Sequence, residues 1–291
     1  MMVRQPIKDV DFYLFKDVIR EFLEFHDGKG LSENKMYIIN KISEKFGEKF
    51  LTEIKPDNIS KWIQSVVAKP ATRNTYVYAF RKLIKFAYQK DWCRLFEIPL
   101  WDVPKFEDWT FFTQEEIDMI VHQIPRYTDV RHAQAFKFAC ATGLRQGNVY
   151  GLRWDQVHLE DRYILFSAND MKSTRSHRVS LNTDIKMILM PESKEMINFK
   201  ATQALEVLEF MQGKHEGLVF GGDRILHNTF KSVLKNCGIG THHRWHATRH
   251  SFATHLIQSG VPDSLIVKLG SWSSADMLDR YAHYSDDYLT R

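Results

Sequence analysis

The sequence predicts a mainly α-helical protein with one small β-sheet, built as a helical N-terminal domain followed by an α+β domain. Three observations carry that expectation. Apolar residues recur with helical period through the first hundred positions. A stretch with two prolines and no clear period, IPLWDVPKFEDW at 98–109, then breaks the pattern. Beyond it only RYILFSA (162–168) and HRVSL (177–181) read as strands.

The elements follow in order. Residues 9–25 and 33–46 are amphipathic, the second ending before Gly47. Pro56 opens a third helix, and ATRNTYVYAFRKLIKFAYQK forms a fourth. In that fourth helix Val77, Phe80, Ile84 and Ala87 form one stripe that faces a core. Lys82 and Lys85 fall on the flank beside the stripe. The boundaries expected are a helical domain at 1–100, a linker at 101–111 and a second domain at 112–291. Thr113 and Glu116 make a capping box at the start of the next helix. The polar NDMKSTRS between the two strand-like runs makes them a β-hairpin with Lys172 near its bend.

Composition narrows the class. Hydrophobic residues at 44% and charged residues at 26% describe an ordinary globular chain. No apolar run approaches the ~20 residues that span a bilayer, and MMVRQPIKDVDF lacks a signal-peptide core. Three scattered cysteines exclude a disulfide framework and suit a reducing compartment, so a cytoplasmic protein without membrane partners is expected. Residues 61–90 and 224–262 contain Lys and Arg but no Asp or Glu, in a chain holding 36 acidic residues. Such acid-free basic stretches are surfaces for a polyanion or simply solvated faces.

HHRWHATRHSFATHL at 242–256 holds five histidines. His246 and His250 share the i, i+4 spacing of a zinc pair. However, Ala247 stands where HExxH has its glutamate, and Arg249 between the two would repel a cation. His246 and Arg249, three residues apart, instead suit an anion: a guanidinium grips phosphate oxygens and an imidazole donates or accepts a proton. His242 and His243 read as surface or backbone contacts, and His255 as helix packing.

Further residues join that pair in chain order. ATGLRQGNV supplies Arg145, the hairpin Lys172, LGSWSSADML Trp272 and DRYAH Tyr281. With His246-x-x-Arg249 this set resembles the tyrosine recombinase (phage integrase) family, over about residues 113–285. The helical first third, with its basic fourth helix and WDVPKFE linker, resembles the family's core-binding domain. Gly270-Ser-Trp272 departs from the commoner Gly-His by a tryptophan and one extra residue. The resemblance implies a site-specific recombinase of a phage or other mobile element, free of metal, ATP and other cofactors. Its two domains would clamp duplex DNA at specific recombination sites. Four protomers would act through a Holliday junction, with room for accessory DNA-bending or directionality proteins, on the nucleoid.

The residue types fit that chemistry. Tyr281 would attack the phosphodiester to leave a 3′-phosphotyrosyl enzyme. Arg145 and Arg249 would hold the non-bridging oxygens, and Lys172 would protonate the 5′-oxygen. His246 would take the tyrosine proton, and Trp272 would donate its indole N–H or buttress the tyrosine helix. Arg73, Arg81, Lys82 and Lys85 are the expected DNA contacts of the first domain, Arg175 and Arg178 those of the hairpin. Tyr284 and Tyr288 lie close to Tyr281; RYAH favours Tyr281, with Tyr284 in reserve. Three alternatives stay open: a DNA-binding regulator that lost catalysis, a DNA-relaxing type IB topoisomerase, and a histidine-ligated zinc protein.

Overall fold

The computed structural model describes residues 13–26, 31–103, 110–170, 176–182, 189–272, 274 and 278. The chain divides into two compact units, residues 1–105 and 106–291. Helices dominate both. One three-stranded sheet, in the second unit, is the only sheet among the described residues.

The first unit holds α1 (Phe15–Phe25), α2 (Glu33–Phe46), α3 (Pro56–Val66) and α4 (Pro70–Gln89). Proline opens both α3 and α4, where its missing N–H is one that no helix would use. The α4 stripe is the core: Val77, Phe80 and Ala87 are fully buried and Ile84 nearly so. Phe80 stacks on Phe15 at 6.1 Å and meets Phe46 edge-on at 5.4 Å. After α4 the chain runs back extended along it. Asn74 donates to the Trp101 carbonyl at 2.9 Å and accepts from the Trp101 N–H at 2.8 Å. This pair fastens the start of the proline-bearing stretch to the first unit.

The second unit opens on α5 (Gln114–Gln123), capped as its sequence specifies. The Thr113 hydroxyl accepts from the Glu116 N–H, and the Glu116 carboxylate accepts from the Thr113 N–H. Next come α6 (Val130–Thr142), the short α7 (Gln146–Tyr150), and strands β1 (Val157–His158), β2 (Tyr163–Phe166) and β3 (His177–Ser180). The strands form an antiparallel sheet in the order β1-β2-β3, with Phe166 opposite His177. Helices α8 (Pro191–Met211), α9 (His227–Asn236), α10 (Ala247–Gln258) and α11 (Asp263–Gly270) complete the unit. Among the described residues no helix is long and apolar enough to cross a membrane.

Helix α10 organises the second unit. Every residue from Ala247 to Leu256 is buried, so this helix has no solvent face and its polar side chains need internal partners. Ser251 accepts from the Phe112 N–H at 2.8 Å and donates to the Ala247 carbonyl. Buried Lys200 of α8 donates to His255 Nδ1 at 3.1 Å, and His255 Nε2–H donates to the Phe112 carbonyl at 3.0 Å. Burial lowers the pKa of both groups, so His255 stays neutral and acts as a fixed link between three segments.

Candidate active site

Helix α6 ends at Gly143, whose φ of +65° reverses the chain toward Arg145. A Cβ at Gly143 would also sit 2.5 Å from the Phe252 ring. Gly143→Ala is therefore expected to destabilise the protein by about 2 kcal/mol or more, from left-handed strain plus overpacking. Chemical denaturation measures this; an unchanged midpoint would show that α10 can shift freely. The half-buried Arg145 is the residue from which α7 begins.

His246 precedes the first turn of α10 and is open to solvent. Its ring meets His250 edge-on at 4.9 Å. Protein packed around the ring, then the charges of Arg249 and Arg145, hold its pKa below the ordinary 6.5. The imidazole is thus kept in its proton-accepting form beside two cations. No three His, Cys, Asp or Glu side chains converge to hold a metal among the described residues.

Arg249 sits deeper than an exposed phosphate clamp, with only 3% of its surface exposed. One guanidinium nitrogen donates to the carbonyls of Gly143 (2.5 Å) and Gly270 (2.6 Å), the other to that of Ser271 (3.3 Å). Its guanidinium carbon Cζ lies 3.8 Å over the centre of the Trp272 ring. One side chain therefore ties the chain before Arg145 to the turn after α11. Trp272 is buried between Arg249 and Phe252, stacked on the latter at 6.2 Å. A Cβ on Gly270 would fall inside the Trp272 ring, and Ser271 adopts a left-handed φ of +56°. The extra residue after the glycine is what folds the tryptophan back over it.

Near the hairpin bend, Asp170 is the anchoring post. Its carboxylate accepts from the Ser167 hydroxyl and N–H, Gln156 Nε2 and Arg153, and the Ser167 and Arg153 contacts hold its pKa below the usual carboxylate range. Its carbonyl accepts from Asn148 of α7 at 2.8 Å. Chain two residues before Lys172 is thereby fixed to the helix that Arg145 starts. Lys172, Arg175 and Tyr281 themselves lie outside the described residues.

A family model described as the phage integrase family matches residues 110–287, more than half of the chain. The chain belongs to the phage integrase family. An integrase of Salmonella phage P22 is 27% identical over 278 residues, covering 90% of this chain and 68% of that protein. The Tn1549 transposon integrase, solved with a circular intermediate DNA, shares the fold at a TM-score of 0.64 and 15% identity. That match covers 95% of this chain and 98% of the other. A lambda integrase tetramer bound to a Holliday junction matches at 0.66 and 15% identity, over 93% of this chain and 82% of that one. This chain is therefore a tyrosine recombinase by family.

Within this recombinase the expected DNA contacts separate by environment. Lys82 and Lys85 are exposed on α4. Arg73 instead donates to the Val67 carbonyl at 2.7 Å and Arg81 to the Ile98 carbonyl at 2.5 Å, so both brace the backbone. Arg178 lies exposed on β3 with its guanidinium 3.9 Å over the Tyr163 ring. Sequence reasoning missed the Asp170 post, because it stands in no motif and is defined by partners distant in the chain.

Proposed function

We propose that this tyrosine recombinase cleaves and rejoins DNA at specific sites of a phage or other mobile element, through a 3′-phosphotyrosyl intermediate and a Holliday junction. The observation that carries this reading is the convergence of Arg145, His246 and Arg249. Arg249 bonds to the Gly143 carbonyl, two residues before Arg145, and the charges of both arginines help lower the pKa of His246, on segments about a hundred residues apart. That set suits a phosphodiester: the arginines stabilise charge growing on the non-bridging oxygens, and the imidazole accepts the attacking hydroxyl's proton. Tyr281 is the nucleophile. Its oxygen bonds to phosphorus as the 5′-oxygen leaves, taking a proton from Lys172. Ester replaces ester, so no nucleotide cofactor is required. The family match and the P22 integrase relative support the assignment. The lambda integrase tetramer supports a four-protomer assembly. Accessory DNA-bending or directionality proteins, and a place on the nucleoid, belong to the same proposal. Residues 1–100 serve as the core-binding domain.

The deciding experiment uses a nicked suicide duplex spanning one junction between the encoding element and its flanking DNA. A covalent adduct should form, and persist in EDTA. No adduct on any junction duplex would leave a DNA-binding regulator. Equal adduct on unrelated duplexes would indicate a relaxing enzyme.

Two further results are expected. Because the folded His246 titrates below 6.5, the base form is already present at that pH. The adduct-forming rate should hold down through pH 6.5 and fall only in more acid solution, whereas an acid limb centred above 6.5 would remove His246 as the base. DNA affinity should fall steeply with salt, with a log–log slope of about −0.9 per phosphate neutralised. Lys82→Ala and Lys85→Ala should each make that slope shallower by about one; an unchanged slope would take that lysine off the DNA.

A further inference from the structure

Helix α7 is five residues long, and a helix of that length gains too little from its own hydrogen bonds to fix its direction. Its anchors decide where it points. The Arg145 carbonyl accepts from the N–H groups of Asn148 and Val149, at 2.8 and 3.0 Å, so the backbone of Arg145 moves with the helix. Asn148 is one anchor, through its bond to the Asp170 carbonyl. Tyr150, the last residue of α7, is the other. It is buried, and a 2.8 Å hydrogen bond joins its hydroxyl to Nδ1 of His132, itself buried on α6. The Tyr150 ring also meets that of Trp245, centre to centre at 5.6 Å. Trp245 is buried against Phe136 of α6 at 5.5 Å and Phe230 of α9 at 5.8 Å, and the next residue in the chain is His246. At Tyr150, therefore, the segment that starts with Arg145 meets the segment that continues as His246. The motif reading gives neither Tyr150 nor His132 a role.

We propose that Tyr150 is a positioning residue for strand cleavage: braced by His132, it holds α7 against Trp245, and thereby holds Arg145 in register with His246. The proposal rests on the reading of the site as a DNA-cleaving one. The ring supplies the contact with Trp245, and the hydroxyl sets where the ring comes to rest. Apolar packing is non-directional and tolerates small shifts, whereas a hydrogen bond has a narrow range of length and angle. Both partners stay uncharged at pH 7. Burial pushes the Tyr150 hydroxyl up, and burial first, with the charge of Arg131 second, holds His132 below 6.5. Removing either partner strands the other away from water, which favours a shift of α7 that would relieve it.

The test compares full-length wild type, Tyr150→Phe, His132→Leu and the double variant on the nicked junction duplex. Tyr150→Phe keeps the ring against Trp245 and removes one oxygen. Each single variant should slow adduct formation at saturating DNA by about tenfold or more, because a 1 Å misplacement can cost ~10²-fold. The DNA dissociation constant should not change. The double variant should be no slower than the slower single one, since both substitutions remove the same bond. A wild-type rate in Tyr150→Phe, or losses that multiply in the double variant, overturns the proposal.

A DNA-independent measurement guards against a variant that fails to fold. In 15N-histidine NMR spectra of the free protein, the ring signal lost in His246→Gln reports His246, which feels the charges of Arg249 and Arg145 and meets the His250 ring. Wild type should titrate below 6.5. Arg145→Gln should raise the midpoint, because a neighbouring cation is gone. Tyr150→Phe should raise it by part of that amount, as Arg145 swings away. A midpoint unmoved in either variant overturns the proposal. If wild type forms no adduct, the functional reading fails, while the midpoint still decides whether Tyr150 holds Arg145 beside His246.

Discussion

Full-length protein carrying Tyr281→Phe is expected to bind its junction DNA normally and to form no covalent adduct. The substitution removes a single oxygen, and that oxygen is the atom proposed to join phosphorus. None of the other proposed site residues replaces it: Arg145, Arg249 and Lys172 are cations, and His246 is proposed to accept the proton. The loss should reach at least ~10⁴-fold, as when other covalent enzymes lose their nucleophile. Tyr284→Phe should retain the adduct. Denaturing gels of the nicked duplex separate these outcomes. An adduct that survives Tyr281→Phe but disappears in Tyr284→Phe would move the nucleophile by three residues.

Arg249→Lys is the second large effect, and it should appear in two measurements at once. Lysine keeps the charge but is a single point donor. It cannot reach the Gly143, Gly270 and Ser271 carbonyls together while covering the Trp272 ring. Adduct formation at saturating DNA should fall by about 10²–10³-fold, the scale of a lost oxyanion contact. Unfolding free energy should fall by roughly 3 kcal/mol as buried carbonyls lose charge-assisted partners. Arg145→Lys, at a half-buried position, should lower the rate with a smaller change in stability. A variant Arg249→Lys that loses rate but no stability would show that the carbonyl contacts are incidental; one that loses neither would remove Arg249 from the site.

Much of the architecture was legible because its elements have two different sides. Helix α4 buries Val77, Phe80, Ile84 and Ala87 and exposes Lys82 and Lys85, so its period could be read directly. Pro56 and the Thr113–Glu116 capping box mark helix starts through backbone chemistry local to each start. The hairpin was visible from two strand-like runs around a polar bend. Helix α10 was different. Buried on every side, it carries Thr248, Arg249, His250, Ser251, Thr254 and His255 inward, and no periodicity reveals which of them faces the site. Histidine count misleads there. His246 stands open beside the two arginines, while His255 is locked between Lys200 and Phe112.

By itself the sequence determined the family and the helix-rich plan with one small sheet, because motif spacing and one-sided periodicity are local properties. Tertiary structure alone decided that Arg249 is a buried tie between Gly143 and the turn at Gly270. It also decided that Trp272 is the surface on which that arginine lies and that Asp170 anchors the hairpin to α7. The physical reason is common to all three. Each depends on a hydrogen bond or ring contact between segments 20 to more than 100 residues apart, and such contacts exist only once the backbone between them has folded.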